Sequence, residues 1–132
     1  LVVAGALTTI FGPSQAVEDS NKLIMDLSSS FLGLLYVTVG LFLAGVCEEF
    51  TFRAFLLNSI NRRYSFLPAL IISSLAFGLF HFDPQIVYTI ATFSLGLVLG
   101  YVYYRYKSCV ACAVAHSTLN LIVLAISLLV LR

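Results

Sequence analysis

The sequence contains very few charged residues for its length. Lys, Arg, Asp and Glu together make up 10% of the 132 residues, whereas hydrophobic residues make up 61%. Soluble domains contain about 25% charged and about 45–50% apolar residues, so this chain cannot cover a globule with polar side chains. Its net charge of +1 provides no basic field for nucleic acid. The composition therefore excludes a soluble enzyme, a nucleic-acid-binding protein and a disordered tail.

The sequence also contains few cysteines, and its first residues do not have the features of a signal peptide. Three cysteines cannot form an even disulfide framework, and all three lie in apolar runs, so we expect free buried thiols. The chain begins Leu-Val-Val, without an initiator methionine or a basic n-region, so we expect no intact signal peptide. We expect a fragment of a longer membrane protein, with a partial upstream apolar segment and polar loop at 1–27 and a helical core at 28–132. Residues 1–17 are a candidate part of a further span, and residues 12–30 read as a loop or a short interfacial helix.

Long uncharged runs are what the sequence does contain. They cover residues 27–47, 64–82, 84–104 and 108–131. A membrane-spanning helix needs roughly 20 mostly apolar residues, and each run is close to that length. We therefore predict an all-α, polytopic transmembrane bundle in a lipid bilayer. Its four core helices are predicted at about 30–61, 66–82, 84–104 and 108–131.

Local signals predict how these helices begin, end and pack. Two arginines after Asn61 predict the end of the first helix, and Pro68 suits the first turn of the second. Asp83 is predicted to cap the third helix, with Pro84 as its first residue. Small residues at four-residue spacing predict close helix contacts. These pairs are Gly40 with Ala44, Gly96 with Gly100, and Ala111 with Ala115.

The basic residues in the loops predict the orientation of the bundle. Loop 61–65 contains two arginines, and loop 105–107 contains an arginine and a lysine. In a bundle of antiparallel spans these two loops lie on the same side of the membrane. The positive-inside rule places both loops in the cytoplasm.

Several polar residues lie inside the predicted spans, where a charge costs about 2.5–3.5 kcal/mol and usually marks function. They are Glu48, Glu49, Arg53, His81, His116 and Asn120. Glu49 and Arg53 are one helical turn apart and can form an ion pair. Measured along their helices from the basic loops, Glu48 and His81 lie at about 21 and 22 Å, and His116 and Asn120 at about 14 and 20 Å. The sequence therefore predicts that groups from three helices meet at one level.

The residue types in this cluster leave three kinds of function open. A carboxylate and an imidazole can activate a water as general base, and a second imidazole with an amide can stabilise an oxyanion, as in a hydrolase. Two histidines and a glutamate are also a zinc ligand set, although the H-E-x-x-H spacing is missing. A glutamate–histidine chain could instead relay protons in a transporter. Inert polar contacts between helices are the third reading.

The same residues form three motifs in a fixed order on successive helices. The motifs are Glu48-Glu49-x-x-x-Arg53, Phe77-x-x-x-His81 and His116-x-x-x-Asn120. This series resembles the CPBP family, which comprises the type II CAAX prenyl endopeptidases and the bacterial Abi and bacteriocin-processing or immunity proteins. The resemblance covers about residues 28–131 and departs from no position of the motifs.

The resemblance implies a glutamate-dependent intramembrane endopeptidase. Glu48 would be the general base, His81 would hold and polarise the water, and His116 with Asn120 would form the oxyanion site. The family has often been labelled metalloendopeptidase, but its better reading is metal-independent, so we expect no cofactor and keep zinc as the alternative.

The supporting residues and the partners follow from the same resemblance. We interpret Glu49 and Arg53 as an ion pair that orients Glu48, with a direct role for Glu49 left open, and Phe77 as packing over His81. The substrate would be a peptide or protein, which is prenylated in some branches of the family. A non-proteolytic bacteriocin-immunity or scaffold protein is the alternative function, and a proton-coupled transporter comes third.

Overall fold

The computed structural model describes residue 12 and residues 14–130, so the upstream apolar segment expected at residues 1–11 lies outside the described residues. Within the described part the chain is all-helical and contains no strand. Its helices are α1 (Gln15–Leu27), α2 (Phe31–Arg63), α3 (Phe66–Phe80), α4 (Val87–Tyr106) and α5 (Cys109–Val130). The predicted all-α architecture with four core helices is confirmed.

Helix α1 forms in the polar stretch that precedes the core. Ser14 caps it, because its Oγ accepts a hydrogen bond from the backbone N–H of Val17 at 3.3 Å. Leu23 is 60% exposed, whereas Val17 and Ile24 line a cavity beside the core. Of the two expectations for residues 12–30, the structure therefore contains the short helix.

Helix α2 is one continuous helix whose middle section widens. Ser30 caps its start by accepting a hydrogen bond from the N–H of Gly33 at 3.1 Å. Residues Phe50–Leu57 are π-helical, directly after the two glutamates. The helix ends at Arg63, because Tyr64 is extended, which confirms the predicted end near residues 61–63. Arg53 lies within the π-helical section.

Three of the four core helices are long and apolar enough to cross a membrane. These spans are Phe31–Arg63, Val87–Tyr106 and Cys109–Leu129. Helix α3 has 15 residues, which corresponds to about 22 Å against a hydrocarbon core of about 30 Å. The protein is therefore an integral membrane protein, but its second core helix is shorter than the predicted 66–82.

The predicted start of α4 is wrong. Asp83 does not cap the helix and Pro84 is not its first residue, since α4 begins at Val87 after the left-handed Ile86 (φ 64°). A turn forms instead, in which the N–H of Ile86 donates to the carbonyl of Asp83 at 2.7 Å. The N–H of Asp83 itself donates to Oγ1 of Thr89 at 2.9 Å. These bonds keep the chain non-helical until Val87.

Small residues bring the helices together, but only some of the predicted ones do so. A Cβ on Gly96 would lie 3.0 Å from Cβ of Ser74 on α3, so close contact at Gly96 is confirmed. Gly40 faces open space within 4 Å, and Ala111 and Ala115 are exposed. The predicted contacts at these three residues are therefore wrong, because small residues also occur on faces that the bundle leaves uncovered.

The cysteines are free but differ in burial. Cys112 is buried, Cys109 is half-buried and Cys47 is exposed. The expectation of free thiols is confirmed, whereas burial of all three is wrong. Apolar runs in a membrane protein can face either the bundle or its surroundings, so an apolar neighbourhood in sequence does not predict burial.

Candidate active site

Glu48 lies at the centre of a group of side chains from three parts of the bundle. Its Oε2 is 3.7 Å from Nε2 of His81, at the end of α3, and 3.7 Å from Nε2 of His116 on α5. Both separations exceed the 2.7–3.2 Å of a direct hydrogen bond. Polar atoms at this spacing can be bridged by a water molecule.

The predicted catalytic residues line one cavity of about 590 Å³. Glu48, His81, His116 and Asn120 all contribute to its wall, together with Phe77. Helix α1 supplies part of another side of the cavity through Val17, Ser20, Asn21, Ile24 and Met25. Small-molecule and peptide-side-chain pockets typically measure about 300–1,000 Å³, so the space is large enough for part of a substrate.

His81 is held in a defined orientation by the end of α3. Its Nδ1 lies 3.0 Å from the carbonyl oxygen of Phe77. A carbonyl oxygen only accepts, so Nδ1–H donates and the neutral ring keeps a lone pair on Nε2, facing Glu48. The Phe77 ring packs edge-on against both imidazoles, with centroids 4.8 Å from His81 and 5.7 Å from His116. Phe77 therefore contacts both rings, not only the one predicted.

His116 is tied to a buried ion pair. Its Nδ1 lies 2.8 Å from Oε1 of Glu49, and the same oxygen lies 3.0 Å from Nη1 of Arg53. Glu49 and Arg53 are 0% and 1% exposed. The predicted ion pair is present, but its further contact is His116 and not Glu48. Consecutive residues on a helix point about 100° apart, which turns Glu49 away from its neighbour's carboxylate.

Arg53 is fixed by contacts other than the carboxylate. Its Nη2 donates to the carbonyl oxygen of Gly96 at 3.4 Å, and its guanidinium carbon lies 4.5 Å from the Phe77 ring centroid. These contacts join α2, α3 and α4 around one cation. The ion pair thus helps to hold three helices together and also contacts His116.

Asn120 connects the other side of the site to α2. Asn120 lies one helical turn beyond His116 on α5. Its Nδ2 donates a hydrogen bond to the carbonyl oxygen of Leu41 at 3.2 Å. The side chain also lines the cavity. Asn120 therefore belongs to the same cavity as the three other predicted residues, although it does not contact Glu48 directly.

Two residues on α4 that contact His81 were not identified from the sequence. The Tyr88 ring packs against His81 with a centroid separation of 5.9 Å, and Thr89 Oγ1 donates to the carbonyl oxygen of His81 at 3.3 Å. No motif marks them, because they reach the site only when the first turn of α4 packs against the end of α3. Asp83, expected as a helix cap, also lies in the cavity wall.

A structural zinc or catalytic zinc site uses three or four His, Cys, Asp or Glu ligands around one ion. Within residues 14–130 no group of three or more His, Cys, Asp or Glu is placed to hold a metal ion. Two ligand atoms that each lie about 2.0–2.2 Å from one tetrahedral ion are about 3.3–3.6 Å apart, so the 3.7 Å separations of Glu48 from the two imidazoles do not separate a bridging water from a shared ion.

The chain was compared with models of known protein families, and one of them matches. A family model described as type II CAAX prenyl endopeptidase, Rce1-like, matches residues 29–122. The matched region covers well over half of the chain and includes every predicted site residue. Neither the curated proteins nor the solved structures contain a match to this chain.

Proposed function

Because this chain belongs to the Rce1-like family of type II CAAX prenyl endopeptidases, we propose that it hydrolyses a peptide bond with a water molecule activated by Glu48. Membership of this family, together with three apolar helices long enough to span a bilayer, makes it a CAAX-type intramembrane protease at the family level. Its substrate class is a peptide or protein. We further propose which side chains activate the water and which stabilise the oxyanion.

The water would lie between Glu48 and His81. Both acceptors face the space between them, since Nδ1 of His81 is committed to the Phe77 carbonyl. A water there donates one hydrogen to the carboxylate and one to the imidazole, which leaves an oxygen lone pair free to attack the substrate carbonyl. Glu48 takes the proton as general base and returns it to the leaving amine.

The developing oxyanion would be stabilised by His116 and Asn120. With Nδ1–H donating to Glu49, a second proton on Nε2 makes the imidazolium, and the Glu49 carboxylate stabilises that charge. Nε2–H then donates to the oxyanion, as does an amide N–H of Asn120 that is not committed to Leu41. Fixed donors in a site screened from water stabilise a developing charge strongly.

One observation carries this proposal. A single carboxylate oxygen lies 3.7 Å from the nitrogens of two histidines on different helices, in a cavity that Asn120 also lines. A set of inert helix contacts would be expected to close these gaps into direct hydrogen bonds. Gaps of this size can be bridged by a water molecule, which supports a role for Glu48 as the base.

The test is the variant Glu48→Gln, which keeps the shape and removes the base. We expect hydrolysis of a fluorogenic CAAX peptide in proteoliposomes to fall by roughly 100- to 10,000-fold, the usual contribution of a general base. Glu18→Gln, an exposed change on α1, is the matched control and should retain the wild-type rate. Full hydrolysis by Glu48→Gln would overturn the proposed mechanism. Assaying the peptide with and without a prenyl group determines whether lipidation is required.

Metal independence is a separate part of the proposal. We expect activity to survive dialysis against a strong chelator, because water activation here uses a carboxylate and an imidazole and needs no Lewis acid. Elemental analysis of the purified protein accompanies the chelator titration. Stoichiometric zinc together with chelator-sensitive hydrolysis would contradict metal independence and restore zinc as the cofactor.

A further inference from the structure

Asp83 is a buried carboxylate that the proposed reaction does not use. It lies in the turn between α3 and α4 and is 3% exposed. Both of its carboxylate oxygens are buried and have no hydrogen-bond partner among the described residues. The side chain contributes to the wall of the same cavity as Glu48 and His81.

The described part of the chain supplies no cation for this carboxylate. Arg53 is paired with Glu49, and Lys22 is exposed on α1. The other basic side chains of residues 14–130 lie at the ends of α3 and α4 that are farther from Asp83: two arginines end α2, and Arg105 and Lys107 lie at the end of α4. A buried charge without a partner is strongly unfavourable, so this carboxylate is suited to receive a cationic group that enters the cavity.

The turn holds Asp83 in a fixed relation to His81. The N–H of Asp83 donates to Oγ1 of Thr89 at 2.9 Å, and the same hydroxyl donates to the carbonyl of His81 at 3.3 Å. One threonine therefore ties the backbone of both residues. A group bound by Asp83 would be positioned relative to the water that His81 is proposed to hold.

We propose that Asp83 binds the ammonium or guanidinium group of a lysine or arginine side chain in the peptide substrate. This inference rests on the proposed peptidase function, since the same cavity must receive the peptide. Apolar side chains from α1, including Val17, Ile24 and Met25, also line that cavity. They suit the methylene stem of a long basic side chain. Asp83 is thus a specificity-determining residue.

The test measures binding and not hydrolysis, so it is independent of the role of Glu48. Two fluorescent peptides, identical except for lysine or norleucine near the intended cleavage site, are titrated against full-length protein in nanodiscs. The peptides have N-methylated backbone bonds that resist hydrolysis, and all proteins carry Glu48→Gln, which removes the competing carboxylate. We expect the lysine peptide to bind at least tenfold more tightly, and this ratio to fall to near one when Asp83→Asn is added. Asp26→Asn, an exposed change on α1, should keep the ratio.

Each result decides the proposal. A ratio near one before Asp83 is changed, or a ratio unaffected by Asp83→Asn, would overturn it. If Asp83→Asn does not fold, a lysine peptide with a photo-crosslinker beside the ammonium replaces the variant. Labelling within residues 81–89 would support the proposal, and labelling confined to other segments would refute it. Failure of the Glu48→Gln activity test with a preserved tenfold ratio would reject the mechanism and retain the cation site.

Discussion

One oxygen of the Glu49 carboxylate accepts hydrogen bonds from two groups, the Arg53 guanidinium and the His116 imidazole. Its Oε1 contacts Arg53 and His116 at 3.0 and 2.8 Å, in an environment that is almost fully buried. The carboxylate therefore links a structural cation to a proposed catalytic one. We therefore propose that Glu49 is a positioning residue that acts through His116.

Arg53→Met is expected to lower the free energy of unfolding by about 3–5 kcal/mol, because Glu49 is left as an uncompensated buried charge. Arg62→Met, which changes an exposed arginine one or two turns beyond the π-helical section, is the matched control. Unfolding of the protein in mixed micelles by a denaturing detergent measures the difference. Equal unfolding free energies for the two variants would mean that the pair does not stabilise the bundle.

Replacing both partners separates stability from positioning. The double variant Glu49→Leu/Arg53→Met contains no unpaired buried charge, so we expect it to recover part of the stability lost by Arg53→Met. Hydrolysis should stay low, because His116 then has no carboxylate to hold its Nδ1–H. Recovered stability with wild-type hydrolysis would remove the positioning role of Glu49.

At the element scale, the site depends on how closely α2 approaches α5. Gly45 of α2 faces Ser117 of α5, and a Cβ on Gly45 would lie 2.6 Å from Ser117 Oγ and 2.9 Å from its backbone nitrogen. Ser117 Oγ donates to the carbonyl of Phe42 at 2.8 Å. This contact lies three residues before Glu48 and one residue after His116, so it sets the spacing of the two helices that carry these side chains.

Gly45→Ala should therefore destabilise the protein by about 1–3 kcal/mol, the usual cost of overpacking, and should reduce hydrolysis by displacing Glu48 from His116. Gly40→Ala on the same helix meets open space within 4 Å and serves as the control. Detergent unfolding and the proteoliposome assay measure both effects. If Gly45→Ala behaves like Gly40→Ala, the close approach of α2 and α5 is not required.

The π-helical section of α2 is a second structural feature that bears on the site. It begins at Phe50, immediately after the glutamates, and contains Arg53. Such sections are frequent at functional sites, where they change the direction of side chains. The four-residue spacing of Glu49 and Arg53 predicted their pairing, but no residue type in Phe50–Leu57 predicted the wider helix.

At the scale of the whole molecule, two loops with basic residues lie at one end of the bundle. Phe66, at the start of α3, stacks on Tyr104, near the end of α4, with ring centroids 3.7 Å apart. Lys107 Nζ lies 4.1 Å from the centroid of the same Tyr104 ring. Loops 61–65 and 105–107 are therefore neighbours, as an antiparallel arrangement requires, and their cytoplasmic location is a prediction from charge.

Labelling of introduced cysteines tests this orientation. In a background lacking Cys47, Cys109 and Cys112, Arg63→Cys should react with a membrane-impermeant maleimide only after the membrane is opened. Gln85→Cys, in the turn between α3 and α4, should react in intact cells. Both positions are exposed, so accessibility by itself does not separate them. The reverse labelling pattern would show that the basic loops lie outside the cytoplasm.

The membrane environment, the order of the helices and the residues proposed for the site could all be predicted from the sequence. These follow from local properties: uncharged runs require a bilayer, and four-residue spacing puts Glu49 beside Arg53 and His116 in line with Asn120. The bounds of α3 and α4 were less accurate, because the turn at Asp83 depends on a hydrogen bond from its backbone to Thr89 in the next helix.

Which side chains face one another could not be predicted, because it depends on how the helices pack. The contact of Glu49 with His116, the gap between Glu48 and the two imidazoles, and the burial of Asp83 beside the cavity all join residues from different helices. Helical periodicity determines the face of one helix on which a side chain lies, but not the rotation and distance of its neighbour. Those depend on where close approach is sterically allowed, as at Gly45, whereas the four-residue spacing of small residues indicates Gly40.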